Sequence, residues 1–104
     1  MLQNISSDLY GLGKLNILDL SQNSIQKIET NIGLLENLSV LDLSGNKLEN
    51  IPSQLGVLEN LTVLDLSGNK LENIPSQLGL LENLTVLTKL SFLWLHENPN
   101  LAWT

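Results

Sequence analysis

Leu38-Ser39-Val40-Leu41-Asp42-Leu43-Ser44-Gly45-Asn46-Lys47-Leu48-Glu49-Asn50-Ile51-Pro52-Ser53-Gln54-Leu55-Gly56-Val57-Leu58 returns almost unchanged 23 residues later, from Leu61 to Leu81. Extended by two residues at the front, segments 36–58 and 59–81 differ only at Ser39/Thr62 and Val57/Leu80. A fixed period of this length is the signature of a stacked repeat. A single unit cannot bury its own leucines, so neighbouring units must bury them jointly.

The period extends in both directions. Leu15, Leu18, Leu20, Asn23, Ile25, Ile28, Ile32 and Leu35 occupy the positions of Leu38, Leu41, Leu43, Asn46, Leu48, Ile51, Leu55 and Leu58, so 15–37 is a diverged third copy. Leu2, Ile5, Leu9 and Leu12 match the second half of a further unit. Towards the other end, Leu90, Leu93, Leu95 and Asn98 restart the pattern 29 residues after Leu61, which implies a six-residue insertion. The expected organisation is one domain over 1–104. It divides into a partial repeat at 1–14, full repeats at 15–37, 38–60 and 61–89, and a partial repeat at 90–104.

Within a unit, Leu38 to Leu43 alternates as a short strand and then meets the turn signal Ser44-Gly45-Asn46. From Ile51 to Leu58 the apolar residues fall three to four apart, and Pro52 fits only a first turn. This predicts a 3₁₀ or brief helical segment on the opposite face. Leu78, Leu81, Leu84 and Leu87 keep a helix-like spacing, so the added residues are expected to lengthen that segment in the last full repeat.

These residues resemble the leucine-rich-repeat family, whose strand motif is L-x-x-L-x-L-x-x-N-x-L. The tail I-P-x-x-L-G-x-L-x-N-L is similar to the 23-residue subtype of Ras-suppressor-like and Scribble-like proteins. The match is complete over 38–60 and 61–83, and it holds over 15–37 except that Glu29 stands at the proline position. The resemblance implies an α/β solenoid, a right-handed superhelix with a short-stranded parallel sheet on its concave face and 3₁₀, irregular or short helical convex segments. It also implies that the concave face grips a protein, though no particular one.

Parallel strands lie about 4.8 Å apart, so equivalent residues form ladders. Alternation places Ile17, Val40, Val63 and Phe92 in one outward ladder on the concave face, Asp19, Asp42, Asp65 and Trp94 in the next, and Ser21, Ser44, Ser67 and His96 in a third. The candidate partner-binding residues are Ile17, Asp19, Val40, Asp42, Val63, Asp65, Phe92, Trp94 and His96. Phe92, Trp94 and His96 are the sharpest of these, because they replace Val, Asp and Ser of earlier units and exposed aromatics anchor interfaces. Asn23, Asn46, Asn69 and Asn98 follow the strands. An amide offers both a donor and an acceptor, so they are expected to bridge successive coils rather than to bind a partner.

Composition narrows the remaining readings. The net charge is -6, and the only strong cations are five lysines, with no arginine among them. Neither nucleic acid nor an anionic membrane is an expected partner. The chain has no cysteine, which excludes a disulfide framework and thiol chemistry. Ser67, His96 and Asp65 form a superficial nucleophile, base and acid grouping. A shallow sheet gives them no enclosure and no oxyanion donors, so the chain is read as a non-enzyme without cofactor or metal.

Asn4, Asn37, Asn60 and Asn83 each open an N-glycosylation sequon, but three of these are one feature copied by the repeat. The start carries no export signal, which points to an intracellular origin. The unpaired first half-repeat further predicts fraying or self-association through uncapped ends. The leading expectation is a protein-interaction module, possibly part of a longer solenoid. Two alternatives stand beside it: a structural or engineered consensus scaffold without an evolved ligand, and an extracellular recognition domain lacking its signal sequence.

Overall fold

The computed structural model describes residues 2–72, 75 and 77. Three strands, β1 (Ile17–Asp19), β2 (Val40–Asp42) and β3 (Val63–Asp65), form a parallel sheet in the order β1-β2-β3. The register advances by one repeat per strand, with Leu18 opposite Leu41 and Leu41 opposite Leu64. Each strand is three residues long and buries only its central leucine. The flanking β-branched and acidic residues therefore face outward, as the alternation predicts.

The return segments are 3₁₀ turns at Ser7–Gly11, Thr30–Leu34 and Ser53–Val57. Each is closed by a backbone N–H at its end: Leu12 to Leu9, Leu35 to Ile32 and Leu58 to Leu55. Pro52 stands just ahead of its turn with φ -70°, where the missing N–H is not needed. Glu29 occupies the same place in extended backbone. The helical lengthening expected over 78–87 lies outside the described residues.

Between sheet and turns runs one continuous core. Ile25, Ile32, Leu35, Leu38, Leu41, Leu43, Leu48, Leu55, Leu58, Leu61 and Leu64 are fully buried. At roughly 25 cal/mol per Å² of apolar area, this layered leucine column is the main driving force. Close approach of coils is required to fill it, and Gly56 permits that approach. A Cβ on Gly56 would lie 2.5 Å from the carbonyl oxygen of Gln77 in the next coil.

Tyr10 stands where Gly33 and Gly56 stand in later coils, and its ring is buried against the core. Its hydroxyl oxygen faces the Glu29 backbone without completing a hydrogen bond. Burial accordingly raises the phenol above its ordinary pKa. A buried polar atom without a partner costs free energy, so Tyr10→Phe is expected to leave urea-denaturation stability unchanged or to raise it.

The turn after each strand needs a left-handed residue. Gly45 and Gly68 supply it with φ of 68°, but the first coil has Gln22 with φ 56° in that place. A side chain there costs about 1 kcal/mol or more. Gln22→Gly is expected to stabilise the fold by up to about 1 kcal/mol, read as a higher urea midpoint with unchanged slope.

At the start of the described chain, Leu2 and Leu12 are half exposed, whereas Ile5 and Leu9 pack against the core. Leu2 is tied to the following coil on both sides. Its N–H donates to Asn23 Oδ1 at 3.0 Å, and its carbonyl accepts from Ser24 N at 2.7 Å.

Candidate concave-face site

The strand register brings six of the predicted site residues onto one face. Ile17, Val40 and Val63 form one ladder, and Asp19, Asp42 and Asp65 the next. Ile17 is 62% exposed, while Val40 and Val63 are half-buried. Phe92, Trp94 and His96 lie outside the described residues, as does Asn98.

The aspartates have a further role that the alternation does not reveal. Asp19 Oδ1 accepts from the Ser21 N–H at 3.0 Å and from the Ser21 hydroxyl at 2.6 Å. Asp42 holds Ser44 in the same way at 3.0 and 2.6 Å, and Asp65 holds Ser67 at 3.0 and 2.7 Å. Each carboxylate thus fastens the turn that follows its strand. The sequence signal is Asp-x-Ser recurring at 19–21, 42–44 and 65–67. In this arrangement the Ser67 hydroxyl donates to the Asp65 carboxylate within its own turn.

The Ser21 hydroxyl bond, followed by the Ser21 N–H, holds the Asp19 carboxyl below its ordinary pKa of 3.8. A depressed carboxyl contributes stability that is fully present above its unfolded-state pKa and lost as pH falls through the folded value. Asp19→Asn is therefore expected to flatten the loss of thermal stability below pH 3.8, as read from melting curves across an acid pH series.

Beneath the face, the asparagines bridge coils as their chemistry predicts. Asn46 Oδ1 accepts from the Ile25 N–H at 3.0 Å, and its amide donates to Leu20 O in the preceding coil at 3.0 Å and to Leu43 O at 2.9 Å. Asn69 repeats this with Leu48 N–H, Leu43 O and Leu66 O. Both asparagines are buried. Two of the four sequon asparagines also have structural work: the Asn37 amide donates to Gly13 O at 2.7 Å and that of Asn60 to Glu36 O at 3.2 Å.

Among the described residues, no group of three or more histidine, cysteine, aspartate or glutamate side chains is placed to hold a metal. No described helix is long and apolar enough to cross a membrane.

The coil-per-repeat sheet, the 3₁₀ returns and the bridging asparagines define a leucine-rich-repeat α/β solenoid. The family model for leucine-rich repeats, in two copies, matches residues 36–78. Among solved structures 27 chains match. One of them is a leucine-rich-repeat protein of Leptospira interrogans, at 28% identity and a TM-score of 0.77 over 98% of this chain. The chain spans 28% of the length of that protein. No curated protein matches the chain.

Proposed function

We propose that this chain is a protein-interaction module that docks its partner on the concave sheet. The observation that carries this reading is the pair of in-register ladders. Ile17, Val40 and Val63 offer an apolar row beside the acidic row of Asp19, Asp42 and Asp65. An apolar strip flanked by fixed charge suits a partner with apolar and basic groups side by side. In the sequence pattern Phe92, Trp94 and His96 fall at the same repeat positions, and they are the aromatic anchors of our proposal.

The finer repeat assignment, to the 23-residue I-P-x-x-L-G-x-L-x-N-L subtype, is supported by Pro52 opening a 3₁₀ turn and by the buried Leu55, Gly56 and Leu58 that follow it. The repeat fold supports a non-enzymatic role.

A pull-down from the native source followed by mass spectrometry would identify the partner. Val40→Arg/Val63→Arg and Phe92→Ala/Trp94→Ala are each expected to weaken its binding at least about tenfold, the scale of lost interface anchors. Glu36→Lys, away from the strands, should leave binding intact. A partner that binds both concave-face variants at full strength would overturn the reading.

A further inference from the structure

We propose that the flank beside the asparagine turns is a second docking surface, one that takes an acidic extended peptide. Lys27, Lys47 and Lys70, three of the five lysines of a chain whose net charge is -6, converge on one shallow groove of about 360 Å³. Gln26 and Glu49 complete its lining. All three lysines are exposed, and none of them is ion-paired among the described residues.

The placement is fixed by the repeat. Lys47 and Lys70 follow Asn46 and Asn69, and their backbone N–H groups donate to Ile25 O and Leu48 O, each at 2.9 Å. This holds the backbones of the two lysines in register on adjacent coils, so that their like charges stand on the same flank and repel. The groove is therefore a local positive site on a negative protein, and it attracts what the rest of the surface rejects.

The chemistry of the site favours a carboxylate-bearing peptide. An extended chain presents every second side chain on one face, about 6.8 Å apart. Flexible lysine stems can span the difference between that repeat and the coil spacing. Without arginine, the site has no fork for bidentate phosphate recognition. Glu49 stands within the groove. An alternating peptide can step past it with a neutral residue, whereas a continuous anionic lipid surface meets it with repulsion.

This surface is separate from the concave sheet, so the two proposals fail independently. The test uses the full chain, a fluorescent synthetic hexapeptide alternating glutamate with serine, and its glutamine counterpart. Anisotropy at low salt is expected to show binding of the acidic peptide alone, abolished at about 0.5 M salt. Lys47→Glu/Lys70→Glu should weaken it at least about tenfold, and Lys47→Gln/Lys70→Gln by less. Melting curves confirm that each variant folds. Four results would overturn the proposal: no binding, equal binding of the glutamine peptide, binding unchanged in both lysine variants, or capture by phosphatidylserine vesicles but not by the peptide.

Discussion

Replacing Asn46 with alanine is expected to destabilise the fold by about 2 to 3 kcal/mol, because the buried Ile25 N–H is left without a partner and three carbonyls each lose one of two donors. The Asn46 side chain is the acceptor for the Ile25 N–H and a second donor to the carbonyls of Leu20, Leu43 and Ser44, which also accept from Asn23, Asn69 and the Gln22 N–H. Leu20 and Ile25 belong to the preceding coil, so the loss falls on the junction between coils rather than within one. Asn46→Asp keeps an acceptor for Ile25 but offers no amide donor and buries a charge. At neutral pH it should be no better than alanine. By contrast, Asn60→Ala, at an exposed site with one bond to Glu36 O, should cost about 1 kcal/mol or less. Urea denaturation of the three variants checks the order, and an Asn46→Ala protein as stable as the parent would remove the bridging role.

Leu41→Ala is expected to cost about 3 kcal/mol, within the range measured for deleting a leucine side chain from a packed core. Leu41 is fully buried and lies between Leu18 and Leu64 in the register. The cavity therefore opens between two interfaces, and neither neighbouring coil can close it without leaving the sheet. Because a repeat fold is stabilised by the sum of its junctions, the loss should appear both as a lower urea midpoint and as a broadened transition. Val57→Ala is the comparison. Val57 is 59% exposed on a 3₁₀ turn, and its truncation should change stability by about 0.5 kcal/mol or less.

The ladders were legible in the sequence because two near-identical copies fix the period without ambiguity. Once Leu41 and Leu64 are equivalent, Val40 and Val63 must share a face, and Asp42 and Asp65 the next. The inward leucines and the bridging Asn46 and Asn69 follow from the same step. Periodicity is silent on what a side chain does within its own coil. The Asp-to-Ser bonds after each strand are local, so an outward ladder of candidate partner-binding aspartates does not by itself reveal their capping role. The strain at Gln22 was visible only as a departure, a glutamine where Gly45 and Gly68 stand in later coils. Tyr10 is a departure of the same kind, filling with a ring the space that later coils close with glycine. The lysine groove is not legible in the repeat, because Lys27 does not share the repeat position of Lys47 and Lys70. Only the folded path brings the three together.

These departures divide the chain's work. The repeated positions hold coil against coil, and the residues that differ between coils distinguish one stretch of surface from another. Specificity in the proposed docking must come from the latter, since identical coils cannot tell a partner where to sit.

The absence of cysteine gives a clean background for the most direct test of coil stacking. Ile17 and Val40 are partners on adjacent strands, about 4.8 Å apart and within disulfide reach. Ile17 and Val63 are two strands apart, about 9.6 Å, beyond the roughly 7 Å that a disulfide can bridge. Under mild oxidation, Ile17→Cys/Val40→Cys should form an intramolecular bond rapidly and Ile17→Cys/Val63→Cys should not. Equal cross-linking of both pairs, or of the second alone, would contradict the stacked solenoid.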